Sequence, residues 1–199
     1  MGQEIEIKRA IYIGLAAVVL IGLILFGYSR SSLNITIQGP DTKEPEAKFA
    51  ILSKANTNAC GGGKTYINQL SADGTRIQGS CCSAMDFHRY VEQIEGLERY
   101  SEYETIPKDP YDVPSKWAEE MIAYTESTIL TNEQQKIYDE AVESSHEKGP
   151  CCCKCWHWYA YEGLAKKLII DYKFTADQIA EVWDLSDACG GSGHVEGVH

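Results

Sequence analysis

The first 30 residues contain one long apolar segment. Residues 10–28 form a run of 19 residues without a charged side chain. A helix of that length measures about 28 Å at about 1.5 Å per residue, close to the roughly 30 Å hydrocarbon core of a bilayer. The pattern predicts a retained single-pass transmembrane helix. A cleaved signal peptide is the alternative, but the run is long for one and no Ala-x-Ala site follows it.

Basic residues on either side of this segment predict its orientation. Lys8 and Arg9 precede the apolar run, and Arg30 follows it. The positive-inside rule therefore favours an N-terminus inside the cytoplasm. We expect the rest of the chain to lie outside the cytoplasm, anchored to the cell membrane.

Composition divides the remaining chain. Glycine, proline and serine are frequent just after the apolar run, which is typical of a linker. The last ten residues look frayed, because they lack apolar periodicity. The predicted parts are an N-terminal flank at 1–9, the transmembrane helix at 10–28, a linker at 29–46, a cysteine-rich mainly helical domain at 47–191, and a flexible tail at 192–199.

Apolar side chains recur at helical spacing through the second half of the chain. Helix starts are predicted at a capping-box-like Ser83–Asp86, after Pro114, at Thr131–Gln134, and at Thr175–Gln178. A further helix is predicted over residues 151–172, following the break at Gly149-Pro150. Its apolar face holds Trp156, Ala160, Gly163, Leu164 and Leu168.

A minor β and loop region is expected before these helices. Residues 48–54 favour a short strand, and Asp73-Gly74 indicates a hairpin between residues 66–72 and 75–78. The sequence thus predicts a mainly α fold with a small β component.

Charge excludes one class of function. The chain has 199 residues, is 44% hydrophobic and 24% charged, and carries a formal net charge of −11. These proportions are those of a globular protein. The acidic balance argues against nucleic acid as a partner, because phosphate binding needs a surplus of lysine and arginine.

Cysteine is the main chemical signal. The chain has eight cysteines, of which four fall within five residues, at Cys151, Cys152, Cys153 and Cys155. Packing in a core explains single cysteines but not four together. If these thiols occupy the first turns of a helix, its unpaired N–H groups and dipole favour the thiolate, the form that binds metal and attacks electrophiles. His157 would lie on the same face as Cys153.

The other cysteines come in smaller groups. Cys81 and Cys82 also precede a predicted helix start. Cys60 and Cys189 each lie in an Ala-Cys-Gly-Gly sequence, where glycine allows a sharp turn or the close approach of an ion. One helical turn cannot surround an ion, so we expect Cys81 and Cys82, and then Cys60 and Cys189, to complete a site with the 151–155 cluster.

Three accounts of these thiols remain open. A soft-metal site would use several thiolates, with His157, His88 or His146 as further ligands, and would suit Cu(I) or Zn²⁺. A disulfide framework fits an even count in an oxidising compartment. A thiol–disulfide oxidoreductase could use Cys152-x-x-Cys155, although no thioredoxin-like βαβ pattern surrounds it.

The segment Pro150–Cys155 resembles the membrane-anchored bacterial proteins named for a PCYCGC motif. The shared pattern is Pro-Cys-x-Cys-x-Cys, with Cys152 where that family has tyrosine and Lys154 where it has glycine. The resemblance implies a surface-exposed, thiol-rich module and no catalytic residue.

Together these features predict a membrane-anchored protein that binds a soft metal outside the cytoplasm, for sequestration or for transfer to a delivery or surface protein. An enzyme is the less favoured interpretation. A disulfide-stapled interaction module and a thiol oxidoreductase are the alternatives.

Overall fold

A computed structural model describes residues 43–60, 63–70 and 74–190 of the chain. The predicted transmembrane helix at 10–28 and the predicted tail at 192–199 lie outside these ranges, as does the linker up to residue 42. No helix in the described ranges is long and apolar enough to cross a bilayer.

The fold is mainly α, as predicted. Seven α-helices, two short strands, two 3₁₀ turns and one π-helical turn make up the regular structure of the described ranges. The helices are α1 Lys43–Leu52, α2 Tyr66–Gln69, α3 Phe87–Leu97, α4 Ser115–Ser127, α5 Asn132–Ser144, α6 Trp156–Lys167 and α7 Ala176–Ser186. The strands are β1 Arg76–Gln78 and β2 Asp112–Pro114, the 3₁₀ turns are Gly63–Thr65 and Glu98–Tyr100, and the π-turn Leu168–Tyr172 continues α6.

Local capping explains where several helices begin. Thr131 and Thr175 each form a complete capping box, with Gln134 and Gln178 respectively, which confirms the predicted starts of α5 and α7. The predicted start at Ser83 is wrong, because the side chain of Asp86 caps α3 instead.

The predicted β region is also wrong in detail. Residues 48–52 belong to α1, and residues 66–69 form α2 rather than a strand of a hairpin. β1 instead pairs antiparallel with β2, placing Ile77 opposite Val113. The side chain of Arg76 fixes this pairing, because its Nε donates to Asp112 at 2.5 Å.

The predicted helix over residues 151–172 begins later than expected. Cys155 is the N-cap of α6, with an extended backbone at φ −86° and ψ −173°. Cys151, Cys152 and Cys153 therefore lie in a bent loop before the helix, so their thiols are not spaced by helical turns. The sulfurs of Cys151 and Cys152 can therefore both contact the sulfur of Cys189.

Helix α6 forms the centre of the main core. Trp156, Ala160 and Leu164 of α6 and Leu168 of the π-turn are fully buried, which confirms the predicted apolar face. α4 packs against α6 more extensively than any other pair of elements in the described ranges, and α5 packs against α7.

A smaller core lies beside the cysteines. Leu52, Tyr90, Tyr111 and Ala188 are buried together. Gln93 links this core to the end of α7, because it accepts from the Tyr111 hydroxyl at 3.0 Å and donates to the Asp187 carbonyl at 2.6 Å. The backbone that leads to Cys189 is thereby fixed.

Candidate metal centre

The fold brings all eight cysteines into one cluster from four separate segments. A chain of sulfur–sulfur contacts and one disulfide connects them. The contacts join Cys81 with Cys82 (3.5 Å), Cys81 with Cys189 (3.7 Å), Cys151 with Cys155 (3.9 Å), Cys151 with Cys189 (3.2 Å), Cys152 with Cys189 (3.1 Å) and Cys60 with Cys153 (3.1 Å), and Cys60 and Cys82 form the disulfide. The predicted proximity of the four segments is found.

Four of these residues, Cys81, Cys151, Cys155 and Cys189, form a compact set that we call the inner thiols. Cys151, Cys155 and Cys189 are 1–2% exposed. The sulfurs of Cys81, Cys151 and Cys155 all lie within 4.8 Å of one another. A tetrahedral Zn²⁺ with Zn–S bonds of about 2.3 Å separates its sulfurs by about 3.8 Å. The contacts of 3.7 Å between Cys81 and Cys189 and of 3.9 Å between Cys151 and Cys155 are close to that value, and that of 3.2 Å between Cys151 and Cys189 is shorter.

The remaining cysteines, Cys60, Cys82, Cys152 and Cys153, lie towards the surface and are called the outer cysteines. Cys60 and Cys82 are disulfide-bonded, with their Cα atoms 5.9 Å apart. Cys152 and Cys153 are free thiols, and Cys152 is exposed.

Backbone pairing fixes Cys81 against Cys189. The N–H of Cys81 donates to the carbonyl of Ala188 at 2.9 Å, and the N–H of Ser83 donates to that of Cys189 at 2.8 Å. Gly190 follows with φ +97°, and a Cβ there would collide with the backbone carbonyls of Ser83 and Ala84. The glycine after Cys189 is thus required by the close approach of two chain segments.

Asn58 joins the segment of Cys60 to the rest of the cluster. Its side-chain amide donates to the carbonyl of Gly79 at 2.7 Å and accepts from the indole N–H of Trp156 at 2.8 Å. Gly79 lies just before Cys81, and Trp156 lies just after Cys155. One buried side chain therefore positions three of the four cysteine segments.

Hydrogen bonding among the inner thiols favours charge on two of them. Hydrogen bonding with Cys155 lowers the pKa of Cys151 to about 5, and Cys81 and His157 act in the same direction, against Cys189 and burial. Hydrogen bonding with Cys151 lowers the pKa of Cys189 as well. The same contacts raise the pKa of Cys81, because its proton is shared with these neighbours.

The two free outer thiols, Cys152 and Cys153, have raised rather than lowered pKa values. Burial raises the pKa of Cys152 and that of Cys153 to about 12, and nearby thiolates add to the effect. The sequence-based expectation that a helix N-terminus lowers these values is wrong, because both residues precede the helix. The thiols that most readily form the metal-binding thiolate therefore belong to the inner thiols.

His157 lies next to the inner thiols and is fully buried. Its Nε2 donates to the carbonyl of Ser186 at 2.9 Å, since a carbonyl can only accept. Burial lowers the pKa of His157, but the nearby thiols of Cys151 and Cys155 outweigh this and raise it. Among the described residues, the tight groups of ligand atoms contain no histidine, so a ligand role for His157 remains a prediction.

The other histidines considered from the sequence lie elsewhere. His146 Nδ1 is 3.8 Å from Asp184, and His88 is exposed on α3. Asp187 was not among the residues predicted from the sequence, and its carboxylate lies within 4.8 Å of the sulfurs of Cys151 and Cys189. The feature of the sequence that could have identified Asp187 is its position two residues before Cys189.

The proposed redox pair does not form a unit in the fold. The sulfur of Cys152 contacts Cys189, whereas that of Cys155 contacts Cys151. The two cysteines of this C-x-x-C sequence thus face different partners, which weakens the oxidoreductase interpretation.

No protein-family model, curated protein or solved structure matches this chain. The resemblance of Pro150–Cys155 to the PCYCGC-motif proteins therefore remains an expectation from six residues. Six free thiols converging in space, several of them buried, can share a soft cation more readily than they can serve separate packing roles.

Proposed function

We propose that this chain is a single-pass membrane protein whose extracytoplasmic domain binds a soft metal ion, Cu(I) or Zn²⁺, and sequesters it or transfers it to a delivery or surface protein. The inner thiols are the primary ligands. The observation that carries the proposal is the convergence of three segments. The sulfurs of Cys81, Cys151 and Cys155 all lie within 4.8 Å of one another, and Cys189 contacts Cys81 and Cys151.

The electrostatics support a cation at this place. Cys151 and Cys189, the two thiols with lowered pKa values, lie 3.2 Å apart. The carboxylate of Asp187 is close to both sulfurs. Negative charge shared by this buried pair of thiols is costly in the absence of a positive counter-charge. A bound metal ion supplies that charge, and thiolates are the ligands that soft ions prefer.

Metal stoichiometry on the full chain in detergent tests the proposal. The protein is loaded anaerobically with Zn²⁺ or Cu(I), desalted, and analysed for metal and free thiols. The double variant Cys81→Ser/Cys155→Ser should lose the bound ion. The matched control Cys152→Ser changes one outer cysteine and should retain it. A wild-type chain that retains no metal after loading would contradict the proposal.

A disulfide-stapled module is the second candidate, and the Cys60–Cys82 disulfide favours it. In that case the native protein would contain neither metal nor free thiols, and reduction alone would unfold it. Thiol counting in the same experiment separates the two functions, because the metal site requires the four inner thiols to be free.

The anchor and the orientation rest on residues 1–30 alone. If the domain lies outside the cytoplasm, protease added to intact cells should remove it. Protection until lysis would place the cysteines in a reducing compartment and contradict the proposed location.

A further inference from the structure

A third sulfur lies directly beside the disulfide. Cys60 and Cys82 are bonded, and the free thiol of Cys153 lies 3.1 Å from the sulfur of Cys60. Three adjacent sulfurs of this kind are the reactants of thiol–disulfide exchange, in which a thiolate attacks one sulfur of a disulfide and displaces the other.

We propose that Cys153 exchanges with the Cys60–Cys82 disulfide, and that this exchange regulates the metal site. The regulatory part rests on the proposed function. After Cys153 loses its proton, its sulfur bonds to that of Cys60 while the Cys60–Cys82 bond breaks. The electron pair of the broken bond stays on Cys82, which takes up a proton or a metal ion. One disulfide is broken and one is formed, so no external oxidant or reductant is needed.

The sulfur released by this exchange lies at a second group of ligands. The sulfurs of Cys82, Cys152 and Cys189 are within 4.8 Å of one another. While Cys82 is in the disulfide, it is not available as a thiolate. Exchange therefore removes Cys153 from the free thiols and adds Cys82 to a three-sulfur group that shares Cys189 with the inner thiols.

The sharing of Cys189 connects the two ligand groups. Its sulfur lies 3.2 Å from buried Cys151 and 3.1 Å from exposed Cys152. An ion held at the surface by Cys82, Cys152 and Cys189 would already be bound to an inner ligand. The exchange thus opens or closes an outer metal position through which an ion can enter or leave.

A competing exchange with Cys81 is disfavoured by geometry. The sulfur of Cys81 is 3.5 Å from that of Cys82 and could in principle attack it. Consecutive Cα atoms are only about 3.8 Å apart, below the roughly 4.4–6.8 Å that a disulfide usually spans. Cys60 and Cys153 are 93 residues apart in the chain and have no such restriction.

Disulfide mapping on the metal-free full chain in detergent tests the exchange. The protein is incubated at alkaline pH for increasing times, because the raised pKa of Cys153 leaves only a small fraction of its thiol as the attacking thiolate. It is then quenched with acid, its free thiols are alkylated, and it is digested with trypsin. The sequence places Cys60 in the peptide 55–64, Cys82 in 77–89 and Cys153 in 149–154. The two linkages therefore give cross-linked peptides of different mass.

We expect the wild type to give both linkages and Cys153→Ser to give only 55–64 bonded to 77–89. The matched control Cys81→Ser should still give both. In Cys151→Ser/Cys152→Ser, the peptide 149–154 keeps a single cysteine, which assigns the second linkage to Cys153. Exclusive bonding of 55–64 to 77–89 in the wild type at all incubation times would overturn the exchange.

Adding Zn²⁺ then tests the coupling. Ligation of the released Cys82 should raise the ratio of the Cys60–Cys153 to the Cys60–Cys82 linkage at least about fivefold, the low end of coupling between linked equilibria. An unchanged ratio in a protein that binds Zn²⁺ would overturn the coupling. A protein that exchanges but binds no metal would contradict the proposed function and leave the exchange intact.

Discussion

Gly163 on α6 lies directly against the carbonyl group of Met121 on α4. A Cβ placed on Gly163 would overlap that carbonyl and the hydroxyl of Thr125. The same hydroxyl donates to the carbonyl of Tyr159 at 2.8 Å, which fixes the two helices at this distance. Because Trp156 and Cys155 begin α6, this helix contact also positions one end of the cysteine cluster.

Replacement of Gly163 by alanine should destabilise the domain. A methyl group at this position forces backbone apart, and overpacking of this kind costs about 1–3 kcal/mol. Gly96→Ala is the matched control, because its new methyl group would meet the flexible side chain of Leu185 and helix propensity favours alanine. Thermal unfolding of the full chain should show a lower midpoint for Gly163→Ala alone, and equal midpoints would mean that α4 and α6 are not in contact here.

Leu164 provides a test of the core itself. It is fully buried on the face of α6 that also carries Trp156 and Leu168. Leu164→Ala should cost about 2–5 kcal/mol, through lost transfer energy and the cavity left behind. Ile129→Ala removes a side chain that is 93% exposed and should leave the unfolding midpoint unchanged. A small effect at Leu164 would mean that the face of α6 is assigned incorrectly.

Asp112 should make the stability depend on acid pH. Burial raises its pKa, but hydrogen bonds from Arg76 and Gln78 and the charges of Arg76 and Lys48 outweigh burial and lower it. A lowered folded pKa gives stability that is present above the unfolded value of about 3.9 and is lost as the pH falls through the folded value. Asp112→Asn should therefore cost about 1 kcal/mol at neutral pH, a magnitude reduced by the exposure of Arg76.

This cost should begin to shrink below about pH 4, where the unfolded carboxyl takes up a proton, and should be smallest below the lowered folded pKa, where the native carboxyl is protonated as well. Chemical unfolding at a series of pH values measures it. Asp139→Asn changes an exposed carboxylate on α5 and serves as the control. A cost for Asp112→Asn that stays constant down to acid pH would show that charge at this position is not involved.

The parts of this fold that the sequence predicted are those with local causes. α5 and α7 begin where Thr131 and Thr175 supply capping boxes, and the apolar face of α6 follows from spacing within one helix. The loop at residues 151–155 was predicted as helix because Pro150 suits a helical start. The loop instead bends so that Cys151 contacts Cys189, which is 38 residues away along the chain.

The candidate site was predictable in its membership but not in its arrangement. Clustering along the chain pointed to the cysteines, and all eight lie together. The division into inner and outer cysteines depends on burial. Cys151, Cys155 and Cys189 form a buried cluster of their own, against which Trp158 of α6 packs. Asn58 and Gln93 hold the segments in place, and no periodic pattern marks a single polar residue with such a role.

Thiolate formation in the inner set should be visible at acid pH. Hydrogen bonding lowers the pKa of Cys151 to about 5, so the reduced, metal-free protein should carry a thiolate at pH 7. Ultraviolet thiolate absorbance should rise with a midpoint near that value, as a property of the coupled inner thiols. Cys151→Ser should remove this first step, whereas Cys152→Ser, at a thiol with a raised pKa, should keep it. A first step near pH 8.5 in the wild type would contradict the hydrogen-bonded arrangement.

Metal removal should lower the stability of the domain. An ion that binds the folded chain alone stabilises it by about 2.7 kcal/mol at a hundredfold excess over the Kd. Zn²⁺ should therefore raise the thermal midpoint and a chelator should reverse the change, whereas Mg²⁺, which prefers oxygen ligands, should have no effect. Cys155→Ser removes an inner ligand and should abolish the Zn²⁺ response.

The increase in thermal midpoint caused by Zn²⁺ should weaken as the pH drops, because protons compete with the metal for thiolate. Stabilisation that is equal for Zn²⁺ and Mg²⁺, or that persists in Cys155→Ser, would place the ion outside the inner thiols.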